Sequence, residues 1–238
     1  MQSKKVLVIG GTSGYGEGIA HVLSCAGHRV IAVGRSSELS LDITDRDQVK
    51  AFFTEVFSPD KPFDAVIYSA GLAIGKLPLH EKAAEDVAKV FETNTLGLAY
   101  VAKWAYPHLV KTQGHFIHMG SIAAYLNYTG GADYCASKSA SNTIMKTLRH
   151  EWLGSGIRTT SMEIGLGNTN FQKNRYQGDS EKALKHTDGV RQLEPDEVGE
   201  FISYLLDAPD CMNFDEIILK PIDQASHGAT VKNIKQQF

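Results

Sequence analysis

This sequence predicts an α/β fold built on a doubly wound parallel sheet with helices on both faces. Three observations carry that expectation. Short apolar runs alternate with longer amphipathic stretches along nearly the whole chain, the pattern of buried strands covered by helices. A glycine cluster stands between the first apolar run and the first amphipathic stretch. No Pro- or Ser-rich linker, internal repeat or low-complexity segment divides the 238 residues, so a single domain is expected.

The elements follow in order. Val6-Leu7-Val8-Ile9 is a strand apolar on both faces. Gly10-Gly11-Thr12-Ser13-Gly14-Tyr15-Gly16 then turns the chain into a helix over 15–26. Arg29–Val33 is the second strand, and Leu39-Ser40-Leu41 a short third one. A helix is expected over 45–57, a strand over Ala65–Tyr68, and helices over 81–91 and 95–111. His115–Met119 is a strand, 132–153 a long helix, Arg158–Ile164 a strand, 194–206 a helix and Glu216–Leu219 the last strand. Right-handed crossovers between parallel strands place the ligand at their carboxyl ends.

Two segments lack a clear period. Residues 166–193 are polar and read as a long substrate loop. They carry Asn170, Phe171, Lys173, Arg175, Tyr176, Lys182, Lys185, His186 and Arg191, with cations able to grip a carboxylate. Residues 225–238 read as a tail packed on the surface or on another subunit. Trp104, Tyr106, Leu148 and Trp152 give the two long helices a second apolar face.

Composition excludes several classes. A formal net charge of −3 argues against non-specific nucleic-acid binding. There is no run of eighteen apolar residues and no signal-like start, so neither a membrane span nor secretion is expected. The three cysteines, Cys25, Cys135 and Cys211, are odd in number and far apart. They read as small buried or half-buried residues in a reducing cytoplasm, with no metal-ligand spacing.

Gly10, Gly14 and Gly16 follow a strand and open a helix. A turn this tight needs glycine, and the helix start offers free N–H groups to phosphate. The arrangement points to a dinucleotide, with Gly10, Thr12, Ser13, Gly14 and Tyr15 against its pyrophosphate. About twenty residues on, where an acid would hold the 2′-hydroxyl of NAD, stands Gly34, followed by Arg35, Ser36 and Ser37. A guanidinium and two hydroxyls with no carboxylate suit the 2′-phosphate, so NADP(H) is expected over NAD(H). Asp42, beside Ile43, either accepts from the adenine amino group or caps the helix that follows.

Tyr134 and Lys138 stand one helical turn apart and share a face. A cation beside a phenol lowers the phenol pKa, which makes a plausible acid/base toward an alcohol oxygen.

The motifs occur in one order: the glycine turn, Asp42, Ser69-Ala70-Gly71, Asn94, Ser121, Tyr134 and Lys138, with Ser121 thirteen residues before Tyr134. Over nearly its whole length the chain resembles a compact short-chain dehydrogenase/reductase with a Rossmann-like sheet. That resemblance implies a hydride exchange between nicotinamide and a small carbonyl or secondary-alcohol substrate. It implies that Ser121 binds the substrate oxygen and that Tyr134 donates or removes the proton. Lys138 would hold the nicotinamide ribose and lower the Tyr134 pKa, and Asn94 would kink its helix and hold a relay water. Ser69, Ala70, Gly71, Gly165 and Thr169 would line the cofactor. A homodimer or tetramer through helices 95–111 and 132–153 is also implied. The ending 213–224 is similar to those of NADP-dependent 3-hydroxy acid (serine-type) dehydrogenases and broad carbonyl reductases.

The chain departs from the family pattern in three places. Ser69 stands where Asn is common, Ile164 where Pro is common, and the 35–42 stretch is too short for the usual extra helix. An NADP-sensing regulator, or an isomerase or dehydratase with retained cofactor, are the alternatives on the same fold.

Overall fold

The computed structural model describes residues 2–35 and 37–232, with the side chains of Ser180, Lys185 and His186 outside that description. Ser36, expected at the 2′-phosphate, therefore lies outside the described residues.

Six strands form one parallel sheet: β1 (Lys5–Ile9), β2 (Arg29–Val33), β3 (Ala65–Tyr68), β4 (His115–Met119), β5 (Arg158–Ile164) and β6 (Glu216–Leu219). Their order is β2-β1-β3-β4-β5-β6, so the winding reverses at β1 and a crevice opens between the ends of β1 and β3. The apolar run of β1 divides residue by residue between two cores. Leu7 and Ile9 join Val66, Tyr68, Phe116, Leu98 and Leu109 on one face. Val6 and Val8 join Ile67, Ile117, Ile19, Leu23, Val198 and Ile202 on the other. A two-residue period with both faces covered needs apolar residues at every position, which is the composition observed.

The helices are α1 (Gly14–Cys25), α2 (Arg46–Ala51), α3 (Ala84–Phe91), α4 (Gly97–Thr112), α5 (Ala132–Glu151), α6 (Phe171–Arg175), α7 (Ser180–Thr187) and α8 (Pro195–Asp207). The Asp45 side chain caps α2 by accepting from the N–H groups of Asp47 and Gln48. A reciprocal Glu194–Glu197 capping box opens α8, with Pro195 in its first turn. Two π turns interrupt the expected helices, Phe52–Val56 after α2 and Glu92–Leu96 between α3 and α4.

Several expectations need correction. The strand over 39–41 is reduced to an isolated bridge, Gly34 to Ser40. The Ser37 hydroxyl closes that turn on Gly34 and on the Leu39 carbonyl, leaving no room for a ladder. Residues 166–193 are not one loop, because α6 and α7 fall inside them and are too short to display a period. Cys25 and Cys211 are exposed, and only Cys135 is buried. Trp152 is a core residue, edge-on to Phe116 at 5.8 Å, not a surface one. Among the described residues no helix is long and apolar enough to cross a membrane.

Candidate active site

A cleft of about 820 Å³ opens at the carboxyl ends of the strands, at the winding reversal. Its floor is the glycine turn. Gly10 has φ +76°, and a Cβ there would lie 2.8 Å from the Ala70 nitrogen. A Cβ on Gly16 would lie 2.1 Å from the Gly10 carbonyl oxygen, so the turn closes only on hydrogen. Ser13 is the N-cap of α1 but makes no side-chain cap, which leaves the first N–H groups of that helix for a ligand. Thr12, Gly14 and Tyr15 line the same floor, and the Tyr15 hydroxyl is buried with no partner.

The 2′-phosphate end is shaped by Gly34. A Cβ there would meet Thr12 Oγ1 at 2.5 Å, so an acid at this position would need the Thr12 side chain to turn away. Arg35 is exposed on the cleft wall. Asp42 accepts from the Thr44 N–H at 2.9 Å and the Thr44 hydroxyl at 2.7 Å, while Asp45 does the capping. Ile43 lies buried beside it. The Ser69 N–H donates to the Ile9 carbonyl at 2.8 Å, fastening the Ser69-Ala70-Gly71 loop to β1. Gly165 and Thr169 close the opposite wall, with Thr169 against Gly14.

Ser121 lies two residues past the end of β4, and Tyr134 and Lys138 sit in the first turns of α5, all three buried. The Ser121 hydroxyl accepts from the Ala123 N–H at 3.2 Å and also hydrogen-bonds the Tyr134 phenol, so the two side chains meet on the cleft wall. Lys138 Nζ donates to the Met119 carbonyl at 3.1 Å. Burial pushes Tyr134 up to about 12, with the Ser121 hydroxyl opposing it. Burial lowers Lys138 to about 8, with Glu163 opposing that. This corrects the expectation that Lys138 lowers the Tyr134 pKa: desolvation outweighs any neighbouring cation.

Asn94 is fully buried in the second π turn. Its Oδ1 accepts from the Leu72 N–H at 2.7 Å, and its Nδ2 donates to the Leu72 carbonyl and the Ser137 hydroxyl. Both amide hydrogens are thus committed to protein atoms, and the side chain ties loop 71–72 to α5. The Tyr68 hydroxyl donates to the Thr93 carbonyl at 2.5 Å, a carbonyl within the same turn.

Of the loop cations expected to face substrate, Arg175 is the one that lines the cleft among the described side chains. Arg191 is paired with Asp223 at 2.6 Å, Lys182 with Asp179 at 3.0 Å, and Lys173 is exposed. Arg175 is buried, with Nε donating to the Gly75 carbonyl and Nη2 to the Tyr128 hydroxyl. Its guanidinium lies 5.7 Å from the Tyr134 ring centroid. Among the described residues no carboxylate pairs with it. The tail folds back over this end: Gln224 accepts from the Leu166 N–H at 2.8 Å, and His227 stacks on Tyr128 at 4.4 Å. Lys82 and Asp133 form a buried pair at 2.5 Å just before Tyr134, which no local signal foretold.

A parallel sheet with a phosphate-ready helix start, and a Ser–Tyr–Lys set facing it, defines a nucleotide-dependent oxidoreductase architecture. Residues 4–180 match the family model described as short chain dehydrogenase. The chain belongs to the short chain dehydrogenase family, and the expected enzyme class is borne out. It is 32% identical over 243 residues to the NADP-dependent 3-hydroxy acid dehydrogenase YdfG of Salmonella typhi, covering 95% of this chain and 98% of that one. It is 28% identical to the serine 3-dehydrogenase of Agrobacterium fabrum, covering 96% and 98%. Among solved structures, the closed form of serine dehydrogenase complexed with NADP+ superposes with a TM-score of 0.89 at 31% identity, covering 95% and 98%.

Proposed function

We propose that the chain, acting as one domain, is an NADP-dependent oxidoreductase that interconverts a 3-hydroxy acid and its carbonyl form, with Tyr134 as general acid/base. The observation that carries this reading is the placement of Ser121, Tyr134 and Lys138 on one wall of a cleft floored by the uncapped start of α1. The relatives' names, 3-hydroxy acid and serine dehydrogenases, point to the substrate class.

NADPH supplies the hydride when bound; the residues supply the rest. The glycine turn and the α1 N-terminus hold the pyrophosphate. The Lys138 ammonium holds the ribose, and Asn94 fixes the 71–72 loop beside it. Ser121, hydrogen-bonded to the Tyr134 phenol, turns its hydroxyl hydrogen to the substrate oxygen and polarises it. Tyr134, protonated well above neutral pH, gives its proton to that oxygen in reduction and takes it back in oxidation. Arg175, a buried cation with no acid partner among the described residues, receives the substrate carboxylate. An NADP-sensing regulator would not need this acid/base set.

The test is NADPH oxidation with acetoacetate. Absence of turnover with acetoacetate and with other 3-oxo acids overturns the reading. Arg175→Met should raise KM for acetoacetate by roughly tenfold to a hundredfold while sparing its methyl ester. Equal losses for acid and ester would refute the carboxylate role. Arg35→Ala should cut the preference for NADPH over NADH by about tenfold or more, measured as the ratio of kcat/KM values. An unchanged ratio removes Arg35 from the cofactor site.

The reading also includes a cytoplasmic homo-oligomer. A shallow groove between α4 and α5, lined by Ala99, Lys103, Tyr106, Ile144 and Leu148, offers an apolar surface for two-fold packing.

A further inference from the structure

Glu163 is an acid in the middle of the sheet. It lies on β5 and has no solvent exposure. Its Oε2 accepts from the Ser121 backbone N–H at 2.7 Å. Its Oε1 accepts from Asn142 Nδ2 and from the Ser161 hydroxyl, both at 2.7 Å. Gly120, the residue before Ser121, packs directly on it: a Cβ there would lie 2.5 Å from each carboxylate oxygen. Among the described residues all its hydrogen-bond partners are neutral donors, and none is a cation.

The second amide hydrogen of Asn142 goes to Glu216 at 2.6 Å. Glu216 in turn meets Lys146 and the Tyr125 hydroxyl near the surface. His118 faces Ser161 through Nδ1 at 3.1 Å, and burial together with Lys138 holds that imidazole neutral. A fully buried carboxylate is costly, and a packing role alone would be met by an apolar residue.

We propose that Glu163 is a positioning residue for the reaction: a buried carboxylate that fixes the Ser121 backbone from beneath and serves as counter-charge to the buried Lys138. Its placement supports both halves. Both carboxylate oxygens face donors, the Ser121 N–H among them, so the group serves Ser121 purely as an acceptor. Lys138 is buried one helical turn before Asn142 on α5, and its Nζ donates to the carbonyl of Met119, the residue before Gly120, which packs on Glu163. The negative charge acts on both titrating groups of the site in one direction, raising Lys138 and raising Tyr134. Other groups facing that pair are Arg175 from α6, Tyr15 from α1, Tyr128 from the preceding loop, His118 from β4 and Cys135 on α5 itself. Among the described residues, Glu163 is the carboxylate whose charge reaches both Tyr134 and Lys138.

This rests on Ser121, Tyr134 and Lys138 being the reacting set, so one readout is chosen that needs no turnover. Glu163→Gln keeps the shape, removes the charge, and sets an amide hydrogen against a donor. It should lower kcat for acetoacetate by roughly tenfold to a hundredfold. NADPH affinity, followed by its fluorescence across pH, should lose its ammonium-dependent part about one pH unit lower than in the unaltered protein. A midpoint that does not move overturns the inference even if activity falls, since a packing defect lowers activity without moving the midpoint. Glu163→Asp keeps the charge but is too short to reach Ser121. It should lower kcat while holding the NADPH midpoint, and a shifted midpoint there overturns the counter-charge role. If Glu163→Gln does not fold, Glu163→Asp decides alone. Failure of acetoacetate turnover in the unaltered protein would count against the proposed function and leave the NADPH midpoint to judge Glu163.

Discussion

Tyr134→Phe should lower kcat for carbonyl reduction by about 10²–10⁴-fold and leave NADPH binding and thermal stability almost unchanged. The ring is what packs: its centroid lies 5.6 Å from Phe171 and it faces the Arg175 guanidinium, contacts that phenylalanine keeps. On the proposed mechanism, the hydroxyl is what reacts. Without it, Ser121 still polarises the substrate oxygen, but the proton donor proposed to face that oxygen is gone. The test is single-turnover NADPH oxidation alongside NADPH titration and a melting curve. Full activity in the variant would remove Tyr134 from the mechanism. Weakened NADPH binding would mean that its hydroxyl serves the cofactor instead.

The pH dependence of the unaltered protein belongs to the neighbouring lysine, and Lys138→Met should be the second large loss. Burial pushes the tyrosine up to about 12, so its phenol is protonated across the neutral range and its supply of protons does not limit reduction. Burial lowers the lysine to about 8. Its ammonium is therefore present below that value and is lost as pH rises through it. Reduction should be level at neutral pH and fall above about 8, together with NADPH affinity. Oxidation should show an opposing gain, because deprotonation of the phenol becomes easier as pH rises. Lys138→Met should lower kcat/KM by about 10²-fold or more and abolish the alkaline decline in NADPH affinity. A variant that binds NADPH with the same pH profile as the unaltered protein would refute the ribose role.

Much of the site was legible because its residues sit at fixed offsets on single elements. The glycine turn needs only β1, the start of α1 and the space between them. Tyr134 and Lys138 need only one helix turn. Strands with both faces buried announce themselves by unbroken apolar runs, and all six strands of the sheet were expected. The bridge at Gly34–Ser40 was mistaken for a strand because Leu39-Ser40-Leu41 has the period of one. Leu41 is in fact buried without a ladder. The π turn at Glu92–Leu96 has no compositional mark. Tyr68 holds it from outside and Asn94 anchors it from within to Leu72, each through partners distant in sequence. Glu163 did leave a trace, an acid within the strand run Thr159-Thr160-Ser161-Met162-Glu163-Ile164, but its meaning depends on Gly120 and Asn142 across the sheet.

The chain's own order of residues thus determined the sheet, the glycine turn on the cleft floor and the one-turn spacing of Tyr134 and Lys138. These rest on periodicity and on contacts within a few residues. Only the tertiary structure decided which loop cation lines the cleft, what stands beneath Ser121, and which way the site's pKa values move. Those outcomes depend on burial and on pairings such as Arg191 with Asp223 or Glu163 with the Ser121 backbone. The partners there are brought together by the fold across tens of residues, and desolvation is a property of the packed interior rather than of any segment.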